Sequence, residues 1–514
     1  MNRREFLRIV GQSAAIAGVG GCAGSLPGSR AGKAAPNILF CISDDQSWLH
    51  AGAYGDKVVQ TPHFDRIARE GVLFTHAFCA SPCCTPSRSA ILTGQEIWRL
   101  EEAGVLMGTF PKKFTVFTEL LAEAGYHVGY VHKGWSPGNY KVSGWEHNPA
   151  GAKKYSKRRR KPPFKGAKAT DYAGNFADFL SERSAGRPFF FWYGCKEPHR
   201  SYEKGSGVRA GKRLEDVVVP DSLPDVPEVR SDICDYYLEI EWFDEHLGRM
   251  IKLLEEAGEL ENTLVVVTSD NGTPFPRAKA NLYDLGVRMP LAVRWGSRVP
   301  AERIVDDFVS LADLAPTFLE AAQVRIPSEM TARSFLDVLV SGKSGHVDRR
   351  RDRVFTASER VTWCRPNGAG YPSRAIRTHR RLYIRNYEPD RWPAGDPDIE
   401  AWPEGVYGDI NAGPTKTYMI EHKDDPEVAP LFGPAFGKRP AEELYDVEAD
   451  PWQLHNLADD TAYSKDKAEL AARLERYQRR TRDPRIEGKN PWDYYAYYQG
   501  DIVKRPVKVN RSSR

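Results

Sequence analysis

Four short apolar runs, each ending abruptly in polar residues, set the strongest limit on how this chain can fold. Pro36–Ile42 (PNILFCI) runs into Ser43-Asp44-Asp45, and His127–Val131 (HVGYV) runs into His132-Lys133-Gly134. Pro188–Cys195 (PFFFWYGC) leads to Lys196-Glu197-Pro198-His199-Arg200, and Thr263–Thr268 (TLVVVT) to Ser269-Asp270-Asn271-Gly272. Near-continuous apolar runs of this length are the pattern of strands buried on both faces. Between Pro36 and about Ala322 they alternate with stretches of helical period. The expected class is therefore α/β, a large mixed, mostly parallel sheet flanked by helices. In such open sheets, ligands collect beyond the carboxyl ends of the strands. Four separate segments would then deliver their polar residues to one rim.

Length and composition narrow the class without naming a function. The 514 residues suffice for about two to four domains. A net charge of +4, from 73 Lys and Arg against 69 Asp and Glu, is too small to argue for nucleic acid. Beyond the N-terminus no apolar run reaches the length of a bilayer span. The opening MNRREFLRIVGQSAAIAGVGGC places Arg3 and Arg4 before a weakly apolar stretch ending at Cys22. It resembles a twin-arginine export signal with a lipoprotein-like cleavage site, so residues 1–32 are expected to be an address rather than fold. The protein is then expected to be exported, periplasmic or lipid-anchored at the envelope. The eight cysteines are sparse and lack C-x-x-C spacing, which indicates neither a disulfide framework nor a zinc site. Cys41 and Cys195 read as buried small hydrophobes.

Asp44, Asp45, Asp270 and Asn271 offer three carboxylates and one amide at strand ends. Hard oxygen donors without nearby His or thiolate suit Ca2+ or Mg2+ better than zinc. Either pair alone also reads as a turn or helix cap. Between them in sequence lies Ser81–Gly94 (SPCCTPSRSAILTG), with Pro86 suited to the first helical position and Gly94 close to the helix end. A residue just ahead of Pro86 would face the positive helix terminus, which favours an anion. Arg88, one turn beyond Cys84, is placed to reach the same site.

Cys84-Thr85-Pro86-Ser87-Arg88, continued by SAILTG, matches the C-x-P-x-R signature of the sulfatase family. The resemblance runs from about Asn37 to about Leu457. GYHVGYVHKGW resembles the second signature, with Lys133 as its sulfate-binding lysine, and KEPHR the Pro-His element, with His199. SDNGTPFPRAKANLYD resembles the metal pair followed by a second lysine, Lys279. ELYDVEADPWQLHNLA resembles the closing element. By resemblance, Asp44, Asp45, Asp270, Asn271 and the modified Cys84 surround Ca2+, with Mg2+ the weaker choice. Cys84 is implied to be converted by a formylglycine-generating maturation enzyme to Cα-formylglycine, whose hydrate attacks sulfur. Cys83 is a bystander, because only Cys84 has Pro at +2 and Arg at +4. Arg88, Lys133 and Lys279 are implied to bind sulfate, and His199 to protonate the leaving group. One departure stands out: Trp135 occupies the position where the family usually carries a histidine. His76 and His132 are alternative substitutes for it.

The resemblance divides the chain into a catalytic domain at 36–345, a smaller domain of antiparallel sheet plus helix at 349–485, and a tail at 486–514. EPHR, PFPRAKANLYD and GYPSRAIRTHRRLYIRNYEPDRW look closest to the N-sulfoglucosamine sulfohydrolase branch, which makes a sulfated carbohydrate the leading substrate. A phosphate or phosphonate monoesterase of the same superfamily and a non-catalytic glycan-binding surface protein are the competing readings. The basic loop Lys153–Lys168 reads as a solvated insertion or a polyanion contact. Arg374 and Arg377 read as strand-surface charges or additions to the pocket rim. The aromatic NPWDYYAYYQGD stretch reads as packing back on the main domain or stacking on sugars.

Overall fold

The computed structural model describes residues 35–500 and 502–506; the expected export signal, including Arg3, Arg4 and Cys22, lies outside the described residues. The described residues form one compact unit. The large sheet contains β1 (Asn37–Ser43), β2 (Val72–Phe74), β3 (His127–His132), β4 (Lys153–Tyr155), β5 (Phe189–Gly194), β6 (Thr263–Ser269), β7 (Leu291–Arg294) and β8 (Arg303–Val305). Their order across the sheet is β8-β2-β7-β6-β1-β5-β3-β4. Every neighbouring pair is parallel except those of β7, which runs antiparallel to β2 and β6. The mixed, mostly parallel sheet read from the apolar runs is the sheet that forms.

Strand alternation explains the two cores. Ile38, Phe40 and Ile42 of β1 pack on one face with Phe190, Trp192, Leu264 and Val266. Leu39 and Cys41 join Phe189, Phe191, Tyr193, Val265 and Val267 on the other. The helices α1 (Cys84–Thr93), α2 (Tyr172–Glu182), α3 (Pro227–Glu256) and α4 (Leu314–Ala321) cover these surfaces, while α5 (Ser464–Arg480) packs elsewhere. Phe318 of α4 meets Phe40 edge-on at 5.5 Å between ring centroids. Phe176 and Phe179 of α2 and Trp242, Phe243 and Leu247 of α3 cover the opposite face. Each such side chain contributes about 1.5–3 kcal/mol by leaving water. Cys41 is buried in that second core as a small hydrophobe. Cys195 is buried there too, but its thiol donates to Glu197 Oε2 at 2.6 Å and accepts from the Glu197 amide at 3.3 Å, because the chain beyond β5 folds that carboxylate back onto it.

The register aligns the strand ends. Ser43 pairs with Ser269, Ile42 with Gly194, and Gly194 with His132. All four polar segments therefore leave the sheet along one rim.

A second sheet, β9 (Arg353–Ser358), β10 (Ser373–Thr378), β11 (Arg381–Asn386) and β12 (Glu442–Asp446), is antiparallel throughout. Leu470 and Leu474 of α5 pack on its Ile376, Tyr383 and Leu444. Around residue 345 the chain stays docked: Asp307 accepts from the Val347 and Asp348 amides at 2.8 and 3.0 Å. In the tail, Trp492 is buried beside Trp98, Ile97 and Val105, and Tyr497–Gln499 pairs with Ile502–Lys504 as a hairpin. Part of the basic loop becomes edge strand β4, parallel to β3 with Lys153 and Lys154 exposed.

Arg374 and Arg377 are neither surface charges nor rim residues. Arg374 is fully buried, donating to both oxygens of Asp483 at 2.7 and 3.1 Å and to Glu359 at 2.7 Å. Arg377 makes two 2.9 Å bonds to Asp284. A residue-by-residue reading placed them outside because charge favours water; paired carboxylates on other elements reverse that preference. Arg374→Met should destabilise the fold by about 3–5 kcal/mol in urea unfolding, since it leaves Asp483 and Glu359 buried with less compensation.

Candidate active site

The rim is built from β1 and β6. The Asp270 amide donates to the Ser43 carbonyl at 3.2 Å, and the Asp44 amide to the Glu197 carbonyl at 3.1 Å. Asp45 sits at φ 74°, a left-handed conformation uncommon outside glycine. Its amide donates to Asp270 Oδ1 at 3.2 Å, and its Oδ1 accepts from Asn271 Nδ2 at 2.7 Å. Asp44, Asp45, Asp270 and Asn271 are all essentially inaccessible to solvent. Three carboxylates this close and this dry need compensation.

That compensation comes from three other segments. Lys133, just beyond β3, donates to Asp44 Oδ2 at 2.5 Å. Lys279 donates to Asp45 Oδ2 at 2.7 Å. Arg88 Nε donates to Asp270 Oδ2 at 2.7 Å, and its Nη1 to the Lys133 and Gly134 carbonyls at 3.0 Å each. Burial pushes the Asp44 carboxyl up, but Lys133 above all, with His199 and Arg88, holds it below the ordinary range. Asp45 behaves alike, burial opposed chiefly by Lys279. Burial works against the charge on each lysine, yet Asp44 keeps Lys133 and Asp45 keeps Lys279 above the usual value.

Helix α1 starts at Cys84 itself, with Cys83 as the extended residue before it. Pro86 is thus the third helical residue rather than the first; the site still suits it, because first-turn amides lack intrahelical acceptors. Gly94 closes the helix at φ 61°. Cys84 Sγ lies 3.5 Å from Asp44 Oδ1, and the Ala280 amide ties the Lys279 loop to the Pro82 carbonyl at 2.8 Å. Cys83 instead sits 3.9 Å from Ser81 Oγ, its thiol pushed up to about 12 by burial.

A cavity of about 290 Å³ opens over Cys84, His199 and Lys279. Arg88 and Lys133 are not among its lining residues. His199 Nδ1 lies 2.7 Å from the Arg200 carbonyl, which makes Nδ1 the donor and leaves Nε2 3.8 Å from Asp45 Oδ2. Burial, then Lys279, lowers the His199 pKa. Trp135 does not reach this cavity. Its indole is wholly buried, donates to Ser89 Oγ at 2.7 Å and meets Phe110 edge-on at 5.4 Å. His76 packs on Phe308 and His379, and burial lowers its pKa to about 2; His132 packs on Tyr172. Neither lines the cavity, so neither stands in for the histidine expected at Trp135; His199 is its sole histidine among the described residues.

The donor set fits a hard divalent cation. Oxygens of Asp44 and Asp45 and Cys84 Sγ lie within 4.8 Å of one another. Asn271 Oδ1 is buried without a hydrogen-bond partner, an acceptor that a cation would satisfy. Sequence reasoning missed most of the cavity walls: Met107, Pro137, Trp363, Trp402 and Asp409 come from distant segments with no shared motif. Tyr497, by contrast, belongs to the aromatic NPWDYYAYYQGD stretch, which both packs on the main domain through Trp492 and lines the cavity.

A sulfatase family model matches residues 36–324. The chain belongs to the sulfatase family. A model for the N-sulphoglucosamine sulphohydrolase C-terminal region also matches residues 277–392 of this sulfatase. Human N-sulphoglucosamine sulphohydrolase is 28% identical over 503 residues, covering 87% of this chain and 91% of that protein. An ulvan-active sulfatase of Formosa agariphila is 27% identical over 472 residues, 86% of this chain and 74% of its own. The solved structure of BT4656 with its substrate D-glucosamine-2-N,6-O-disulfate superposes with TM-score 0.63 at 21% identity. It covers 88% of this chain and all of that one. The reaction class is sulfuric ester hydrolysis. Because Trp135 fills core space, Trp135→His should lower the sulfatase's stability by about 3 kcal/mol in thermal or urea unfolding without raising turnover.

Proposed function

We propose that this sulfatase removes a sulfate ester or N-sulfate from a sulfated glycan, with Cys84 matured to Cα-formylglycine. The observation that carries this reading is the meeting of Cys84, Lys279 and His199 in one cavity, backed by three buried carboxylates. Formylglycine at position 84 would supply, as its hydrate, one hydroxyl to attack sulfur and a second whose ionisation expels sulfate. Asp44, Asp45, Asp270 and Asn271, with the residue at 84, would hold Ca2+ in preference to Mg2+, which would polarise the sulfate oxygens.

The chain's own charges favour an anionic substrate. Arg88, Lys133 and Lys279 match Asp44, Asp45 and Asp270 one for one, so a bound divalent cation leaves the site doubly positive, an excess that the single negative charge of a sulfate monoester or N-sulfate partly offsets. Lys279 faces the cavity and would contact the sulfate directly. Lys133 would add charge from just behind it. Arg88 donates through Nε and Nη1 to Asp270 and two backbone carbonyls and so keeps the Asp270 and Lys133 segments together, while its buried Nη2 keeps no partner and is free to meet an anion. His199, with Nδ1–H fixed on a carbonyl, presents Nε2 to the cavity. Protonated, it would donate to the leaving oxygen or nitrogen, and the burial that lowers its pKa makes it a better acid.

The substrates of the related sulfatases, N-sulphoglucosamine, ulvan and D-glucosamine-2-N,6-O-disulfate, support a carbohydrate. Trp363, Trp402 and Tyr497 give the cavity apolar faces suited to a sugar ring. Arg3 and Arg4 support export by the twin-arginine machinery to the periplasm or envelope, with maturation by a formylglycine-generating enzyme before it.

The test is sulfate release from N- and O-sulfated glucosamine, galactose and rhamnose standards, alongside the intact mass of the Cys84 peptide. An unmodified thiol in native-host material, or faster turnover of the phosphate analogues, would sink the reading. Cys84→Ala should abolish turnover while Cys83→Ala keeps most of it; equal losses would mean the wrong cysteine. Lys279→Ala should lower kcat/KM by roughly 10²–10³-fold. Stripping divalent ions with a chelator should abolish sulfate release, and added Ca2+ should restore more of it than Mg2+.

A further inference from the structure

A second cavity, of about 620 Å³, is more than twice the volume of the one at Cys84 and shares no lining residue with it. It lies at the other end of α1: Gly94 closes the helix, and Gln95–Trp98 line the cavity. The ten residues of α1 rise about 15 Å, so a small ligand at Cys84 leaves this groove free.

Arginine dominates the lining. Arg333, Arg350, Arg351, Arg353 and Arg480 face it, against the carboxylates of Glu96 and Asp313. Arg351 is only 4% exposed, donates to Asp313 at 2.8 Å, and keeps a buried Nε with no partner. The other four are exposed. Asp348 is shared between Arg333 and Arg350, and Asp352 between Arg353 and Arg473. Arg480 forms no ion pair among the described residues and lies over the Tyr477 ring, 5.0 Å from its centroid. Guanidinium groups thus outnumber carboxylates even when partners outside the lining are counted. Beside them, Phe355 and Tyr477 stack at 3.7 Å.

We propose that this groove is an accessory binding site for a sulfated polysaccharide chain, gripping sulfate groups other than the one being cleaved. Forked guanidinium donors match the oxygens of a sulfate group, and the aromatic pair offers apolar surface to sugar rings. Holding a long chain here raises its effective concentration at Cys84 without a new contact there. The choice of a sulfated glycan over other polyanions rests on the function proposed above; the anion-binding groove does not.

The test uses full-chain Cys84→Ala protein, which binds without turnover, titrated with a heparin-derived disaccharide and a heparin-derived dodecasaccharide. Adding Arg333→Ala, Arg350→Ala and Arg480→Ala should weaken the dodecasaccharide roughly tenfold and leave the disaccharide unchanged. The dodecasaccharide affinity should also become less sensitive to salt. With Cys84 intact, the triple variant should turn over a monosaccharide sulfate at the parental rate. If the triple variant unfolds, Arg480→Glu alone, which breaks no ion pair, should weaken the dodecasaccharide. Equal dodecasaccharide affinity in parent and variants, or no binding by the parent, overturns the proposal. So does single-stranded DNA of the same length binding as tightly. Arginine-dependent binding by a protein that releases no sulfate would instead sink the proposed function and leave the groove standing.

Discussion

The structure turns on the parallel register between β1 and β6. With Ser43 opposite Ser269, Asp44-Asp45 and Asp270-Asn271 emerge side by side at the carboxyl edge of the sheet. A slip of one residue would send these side chains to opposite faces. The register is held from within, because all seven residues of β1 and all seven of β6 are buried and their alternate side chains fill separate cores. Hydrophobic packing on both faces thus creates a cluster of like charges that electrostatics alone would disperse.

The rest of the site follows from neutralising that cluster. Lys133, Lys279 and Arg88 arrive from three segments, and each meets a different carboxylate. Arg88 also grips the backbone of Lys133 and Gly134, so the helix that begins at Cys84 and the strand end that carries Lys133 are fixed to each other. The Ala280 bond to the Pro82 carbonyl does the same for the Lys279 loop. Position 84 is thereby placed at a helix N-terminus, against Asp44, in an environment held neutral by paired charges. A divalent cation and an anionic substrate are the pair of ligands that such a site accommodates together.

Residues whose environment is local were legible in advance. The strands could be read because burial on both faces leaves unbroken apolar runs, and the acidic pairs because they follow those runs directly. The signature spacing of Cys84 to Pro86 and Arg88 is a property of the chain, and Cys84 rather than Cys83 lines the cavity. Residues whose environment is made by distant segments were not. Trp135 stands where the family usually carries a histidine, but Phe110 and Ser89 draw it into the core. Arg374 looked exposed, but Asp483 and Glu359 lie in wait for it inside.

By itself, then, the sequence determined the α/β class, the strand ends that carry chemistry, and the cysteine with the signature spacing. These depend on periodicity and short-range order, which any stretch of chain displays on its own. Only the tertiary structure decided which cations pair with which carboxylates, that neither His76 nor His132 joins His199 in the cavity, and that Met107, Trp363 and Trp402 wall it. It also decided that five arginines from three segments line one groove. The physical reason is that burial and ion pairing depend on proximity in space, and these partners meet only when two packed sheets and their loops bring distant segments together.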